Sequence, residues 1–180
     1  MKEAVQMNKQ MRQLISIAVA FIGFTVFAQQ DRSTLKVPGG LAFSEFKGYD
    51  NWEDVAVSET EGSVKAILGN PTMIKAYKEG VPGNGEPFPE GAKIVKIEWI
   101  KRKNPASPYF VEVPDALKTL SFIEKDSKKF PNTHGWAYAQ FAYDPASKTL
   151  KPSVTGAECG YTCHTRVASS DYIYTKYPPR

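Results

Sequence analysis

Cysteine and histidine are scarce in this chain, with only two of each among 180 residues. Two cysteines cannot form the dense disulfide framework that stabilises many small secreted domains. Cys159, Cys163 and His164 offer three possible zinc ligands, but the only other histidine, His134, is distant in sequence, which disfavours a four-ligand zinc site. A cysteine hydrolase is also disfavoured, because neighbours in sequence such as Cys163 and His164 do not form a nucleophile–base pair.

The chain also lacks an apolar run long enough to span a membrane. Residues 14–27 are uncharged and largely apolar, but they fall short of the roughly 18–20 residues that a spanning helix needs. Lys9 and Arg12 precede this run and Ala28 ends it, a pattern typical of a secretory signal peptide. We expect residues 1–28 to be removed and the product to be periplasmic or secreted, with an uncleaved anchor as the alternative.

No strong charge of either sign is present. The net charge is +4, and loss of the signal segment, which carries three basic residues and one acidic residue, would lower it to +2. Nucleic-acid binding needs a basic patch or stripe, and the short run at residues 101–103 is better explained as a solvated turn. The remaining residues 29–180 have the size of a single domain.

Proline and glycine divide this domain into short elements. Asn70 is a good N-cap, Pro71 suits the first helical position and Gly80 suits the position after a helix, which predicts a helix over residues 71–79. A second helix is predicted to cover or begin at residues 49–52.

Alternating apolar residues predict strands over residues 63–68, 93–100 and 136–143. In the second of these, Lys96 and Glu98 share one face, and an exposed position facing solvent is the ordinary expectation for charged residues of a strand. In the third, Ala137 and Ala139 leave space on one face, which either a flat ligand or a packed helix would explain. Long antiparallel strands with few helices indicate an α+β fold dominated by an antiparallel β-sheet.

The sequence ECGYTCH, residues 158–164, contains both cysteines. Covalent haem attachment uses two thiols and a histidine directly after the second thiol, normally with the spacing Cys-x-x-Cys-His. Here Cys159 is one residue further from Cys163, although positions four apart still share one face of a helix. The residues leave three alternatives open: haem held by both thiols, haem held by Cys163 alone, or a disulfide between the two cysteines in an exported protein.

Several segments of the chain resemble the cytochrome P-460 family of exported haem proteins. They are VPGGLAFSEFKGYDNWE, VKAILGNPTMIKAYKEG, GNGEPFPEGAKIVKIEW, FIEKDSKKFPNTHGWAYAQFAYD and ECGYTCHTRVASSDYIYTKYPP, in this order from about residue 37 to residue 177. The resemblance implies a mostly antiparallel β fold, a c-type haem near the C-terminus, thioether bonds to Cys159 and Cys163, and His164 as the proximal iron ligand.

The resemblance also implies two kinds of function. In members that oxidise hydroxylamine, a lysine is cross-linked to the porphyrin, and Lys96 matches it by register. The basic residue of their distal pocket matches Lys65, where arginine is usual, and lysine lacks the planar fork of arginine. Glu98 is our candidate for moving protons. A sister group, the cytochromes c'-beta, has the same fold without the cross-link and binds gases such as nitric oxide.

Candidates for a sixth iron ligand are few. After loss of residues 1–28, only Met73 and His134 remain besides His164, and we expect Met73 to fill the core and His134 to lie in a surface loop. This favours five-coordinate iron with an open position for a small molecule. We expect a small nitrogenous substrate or gas, a redox partner protein and no nucleic acid, and we take a homodimer as the assembly state to test.

Overall fold

A computed structural model describes residues 30–154, 156 and 158–180. One six-stranded antiparallel sheet dominates it, and its strands lie side by side in chain order. The predicted signal segment, residues 1–28, lies outside the described residues and stays a prediction. The strands are β1 (Glu53–Thr60), β2 (Ser63–Gly69), β3 (Lys93–Lys103), β4 (Glu112–Lys125), β5 (Trp136–Asp144) and β6 (Thr149–Pro152).

Helices are short and few, which confirms the predicted α+β class. The α-helices of the described residues are α1 (Pro71–Lys78) and α2 (Glu158–His164). Short 3-10 helices cover Arg32–Thr34, Phe43–Phe46, Tyr49–Asn51, Pro131–Thr133 and Thr165–Ser170. No helix among the described residues is long and apolar enough to cross a membrane.

The helix predicted over residues 71–79 is confirmed as α1. Asn70 caps it, because its Oδ1 accepts a hydrogen bond from the Met73 N–H at 3.0 Å. The same oxygen accepts from the Lys93 N–H at 3.0 Å, and the Asn70 amide donates to the Gly91 carbonyl at 2.8 Å. One side chain therefore both starts α1 and ties it to the beginning of β3.

The three predicted strands are confirmed as β2, β3 and β5, and each continues beyond its predicted end. At residues 49–52 the chain forms only a 3-10 turn, Tyr49–Asn51, before β1 begins at Glu53. β4 was not predicted, because Pro114 and Asp115 are poor strand formers in isolation. Pairing with β3 along most of its length overrides that local preference.

One face of the sheet is covered by the segment that precedes β1. Phe46 of this segment stacks on Phe122 of β4 with ring centroids 4.4 Å apart, and Phe43 meets the same ring edge-on at 5.0 Å. Ala137 and Ala139 of β5 belong to this buried cluster. Packing against the aromatic rings therefore explains their small size.

The other face of the sheet is only partly covered. Helix α1 contributes Met73 to a buried cluster that also contains Ile94 and Trp136 of the sheet and Ile173 of the C-terminal segment. Beyond this cluster, the same face lines a cavity that helix α2 and the C-terminal segment help to enclose. The cavity is where five of the six predicted site residues meet.

Candidate functional site

The cavity has a volume of about 780 Å³, within the range of about 300–1,000 Å³ that is usual for small-molecule and cofactor sites. Its floor is the sheet and its opposite wall is α2 with residues 173–176. Of the predicted site residues, the structure places five on its lining: Lys65, Lys96, Cys159, Cys163 and His164. The sixth, Glu98, lies beside the cavity and is not on the lining.

Helix α2 brings both thiols to the cavity. Cys159 and Cys163 are four residues apart, so they share one face of the helix, and both are exposed and unbonded. The longer spacing of the motif therefore still places both cysteines on the lining of the cavity. Cys159 also borders a second, neighbouring groove, which is lined among others by Lys129 and Phe130. Cys163 lines the cavity and is not on the lining of this groove.

Gly160 allows α2 to approach the sheet closely. A Cβ atom at this position would lie 2.6 Å from the Cβ of Tyr138, too close for any real contact. The Tyr138 ring in turn lies 4.6 Å from the His164 ring, centroid to centroid. Any larger residue at position 160 would push α2, and with it the histidine, away from β5.

His164 has the orientation of a metal ligand. Its Nδ1 lies 2.6 Å from the carbonyl oxygen of Tyr172. A carbonyl can only accept, so Nδ1 carries the proton and Nε2 keeps its lone pair. Burial lowers the pKa of His164 and the nearby charge of Lys96 lowers it further, while the bond to Tyr172 acts in the opposite direction. The neutral ring that ligates metals is therefore the favoured form.

Lys96 and Lys65 give the cavity a basic wall. On β3, Lys96 lies opposite Ile67 of β2 and Ser121 of β4. Lys65 lies two residues before Ile67 on β2 and therefore on the same face of the sheet. Burial lowers the pKa of Lys96, Glu98 opposes this, and the neighbouring Lys65 adds to the lowering. A lowered pKa makes the neutral, nucleophilic amine more accessible.

Glu98 occupies a different environment from the one expected of a proton carrier. It is only 8% exposed, and it accepts hydrogen bonds from Ser63 Oγ at 2.7 Å, Lys118 Nζ at 3.0 Å and Thr119 Oγ1 at 3.2 Å. Burial acts to raise its pKa, but these hydrogen bonds and the charge of Lys118 outweigh it and lower the pKa to about 2. Glu98 is therefore ionised and held in place, facing Lys65 across the strands.

The two other candidates for iron ligands lie away from the cavity. Met73 of α1 is fully buried in the cluster between that helix and the sheet. His134 is exposed, and its Nδ1 lies 2.6 Å from the Tyr161 hydroxyl. Neither belongs to the described lining residues of the cavity. Both positions agree with the expectations from sequence.

The residues present suit a haem group. Among them, Tyr138 is 5% exposed, lines the cavity, and its hydroxyl has no partner among the described residues. Such an orphaned buried donor indicates that a group with an acceptor belongs in the cavity. The described residues contain no cluster of three or more histidine, cysteine, aspartate or glutamate side chains that could hold a metal ion.

Sequence reasoning missed several contributors to this site. The roles of Tyr138 and Gly160 depend on contact between α2 and β5, two elements that no sequence pattern connects but that pack against each other. The acceptor for His164 is a backbone carbonyl, that of Tyr172, and a carbonyl has no sequence signature. Only the glycine inside the motif was a usable signal, since glycine allows close backbone approach.

Comparison with known proteins agrees with this geometry. The family model described as Cytochrome P460 matches residues 46–175. This range contains all six strands and the five predicted site residues that line the cavity. No curated protein matches the chain. The family implies a haem cofactor, and its members are typically exported. The match covers well over half of the sequence, and the chain therefore belongs to the cytochrome P460 family.

Proposed function

We propose that this protein is an exported mono-haem c-type cytochrome whose five-coordinate iron binds or oxidises a small nitrogen compound. The observation that carries the proposal is the arrangement of α2, which presents two thiols and a neutral histidine to one cavity. When bound, the haem would supply an iron centre that changes oxidation state and has an open position. The protein's part is to hold and orient it and to shape the space around it.

Covalent attachment would use Cys159 and Cys163. Each thiol adds across a vinyl double bond, sulfur to one carbon and hydrogen to the other, so no oxidant is consumed. Both cysteines line the cavity despite the longer spacing, which supports two bonds. Attachment through Cys163 alone and a Cys159–Cys163 disulfide without haem remain the alternatives to be tested.

The ligand inventory supports an open iron position. His164 is the proposed proximal ligand through Nε2, and the described lining of the cavity contains no second histidine and no methionine. A six-coordinate electron carrier would normally need one of these. The arrangement thus supports binding or oxidation of a small molecule.

For the reaction we propose oxidation of hydroxylamine, with Lys96 cross-linked to the porphyrin. Forming this bond would break an N–H bond of the lysine and a C–H bond of the porphyrin and would release two protons and two electrons, which an external oxidant such as a peroxide would accept. It would also need the neutral amine, which the lowered pKa of Lys96 favours. Lys65 would act as the basic residue near the bound substrate. The electrons would leave to a redox partner protein, and the protein would reside in the periplasm or be secreted, with a homodimer as the proposed assembly.

A second function, nitric oxide binding or electron transfer without a cross-link, is favoured by one observation. No aspartate or glutamate is among the described residues that line the cavity. Glu98, the candidate proton carrier, has a pKa of about 2 and is engaged by three side chains. A proton acceptor with so low a pKa is poorly matched to chemistry near neutral pH.

Replacement of Lys96 distinguishes the two functions. The haem-loaded wild type should show a strongly red-shifted Soret band and should oxidise hydroxylamine, and Lys96→Ala should return the band to that of an ordinary c-type haem. Lys47→Ala, a change at an exposed lysine, is the matched control and should leave the spectrum unchanged. An ordinary c-type spectrum in the wild type, unaltered by Lys96→Ala, would contradict the cross-link and favour the gas-binding function.

A further inference from the structure

The carbonyl that accepts from His164 belongs to an unusual stretch of backbone. Asp171 and Tyr172 both have positive φ angles, 45° and 64°, although neither is glycine. Residues with a Cβ atom rarely adopt this left-handed conformation, and two in succession are costly unless the surroundings hold them. The pair turns the chain after the 3-10 helix Thr165–Ser170 and points the Tyr172 carbonyl back towards His164.

The Asp171 carboxylate is the group that holds this turn. Its Oδ2 accepts from the backbone N–H of Phe88 at 2.8 Å, and its Oδ1 accepts from the indole N–H of Trp136 at 3.2 Å. Lys125 Nζ lies 3.1 Å from Oδ1 and 3.2 Å from Oδ2. Three separate parts of the fold thus converge on one side chain.

Burial strengthens these contacts. The side chains of Lys125 and Asp171 are 8% and 13% exposed, so solvent screens their attraction little. Lys125 also donates to the His134 carbonyl at 3.0 Å and lies over the Trp136 ring. Removal of one partner would leave the other charge buried and unpaired, which is strongly destabilising.

We propose that Asp171 is a positioning residue for the proximal histidine. By fixing the left-handed turn, it fixes the Tyr172 carbonyl, and the carbonyl fixes the tautomer, ring orientation and donor strength of His164. A histidine ligand whose second nitrogen donates to a carbonyl is a stronger electron donor to a metal. The holoprotein part of this inference rests on the proposed haem function, whereas its effect on the His164 ring does not.

A purely structural anchor would behave differently. If Asp171 only secured the C-terminal segment, its loss would lower stability and leave the histidine's electronic properties unchanged in whatever protein still folds. The test therefore needs a readout at the histidine. Asp171→Asn keeps the shape and an acceptor oxygen but removes the charge, and Asp115→Asn, which breaks an exposed ion pair with Arg102, is the matched control.

In the haem-loaded protein, resonance Raman spectroscopy of the ferrous form reads the iron–histidine stretch. Asp171→Asn should lower its frequency and raise the reduction potential, because a weaker hydrogen bond makes His164 a weaker donor. Asp115→Asn should change neither. An Asp171→Asn protein that binds haem with wild-type stretch and potential would overturn the proposal. Should Asp171→Asn fail to accumulate, Lys125→Met, which keeps the aliphatic bulk of lysine, decides by the same two criteria.

In protein without haem, nitrogen-15 NMR of the His164 ring gives the same decision. The wild type should show a single tautomer protonated at Nδ1, and Asp171→Asn should show a mixture of the two tautomers. Unchanged ring signals in Asp171→Asn would contradict the positioning role. If the wild type takes up no haem but the tautomer mixture still appears in Asp171→Asn, the proposed function is refuted and the positioning role is supported.

Discussion

At the residue scale, Glu98, which lies beside the cavity, makes the stability of the fold depend on pH. Its carboxylate is nearly buried and accepts from Ser63, Lys118 and Thr119. The folded-state pKa of about 2 lies below the ordinary value of 4.5. Since the unfolded chain binds the proton more readily, the stabilisation is complete above pH 4.5 and is lost as the pH falls from there towards 2.

Glu98→Gln should therefore remove an acid-labile part of the stability. A pKa difference of this size sets an upper limit of about 3 kcal/mol, because one pKa unit is worth about 1.4 kcal/mol and solvent screening reduces the contribution. Urea unfolding between pH 7 and pH 3 should show the wild type losing more stability than Glu98→Gln. Glu61→Gln, at an exposed position, should follow the wild type. Parallel curves for the wild type and Glu98→Gln would show that the Glu98 network does not favour the ionised form.

At the element scale, α2 unites every proposed haem-binding group of the motif, and the sequence predicted this only in part. The spacing of Cys159 and Cys163 indicated one helical face, which the structure confirms. The depth at which α2 lies against β5 is set by Gly160 and Tyr138. Such contacts between distant segments depend on tertiary packing, which periodicity along one element does not report.

Gly160→Ala tests that packing directly. The added methyl group would collide with Tyr138, so α2 must move and the cost should be about 1–3 kcal/mol. We expect a lower thermal midpoint and a smaller fraction of protein carrying covalent haem, measured by intact mass. Gly62→Ala is the control, because a Cβ atom there meets no atom within 4 Å. Wild-type haem content and stability in Gly160→Ala would mean that α2 does not need this close approach.

At the scale of the whole molecule, the sheet separates support from function. One face packs Phe46 and Phe122 into an aromatic core, and the other carries Lys65, Lys96 and the cavity. Strict alternation places neighbouring residues of a strand on opposite faces. Two nearly independent surfaces can therefore be built from one set of strands.

The same alternation explains how much of the fold the sequence predicted. β2, β3 and β5 have clear patterns and were predicted, as was the capped helix α1. β4 was not, since five of its first seven residues are exposed and one of them is Pro114, and its stability comes from pairing with β3. Likewise the sequence placed Lys96 and Glu98 on one face, but only the structure shows that Lys96 reaches the cavity while Glu98 is engaged beside it.

The most direct test of the account is the intact mass of the protein exported from a host that matures c-type haem. We predict a mass increase equal to one haem, which survives denaturation, and loss of attachment in the double replacement of Cys159 and Cys163 by alanine. The single replacement Cys159→Ala should keep the haem through one bond and alter its alkaline pyridine spectrum, which reports the number of thioethers. A wild type without added haem mass and with two hydrogens missing would show a Cys159–Cys163 disulfide instead, and would contradict the central claim.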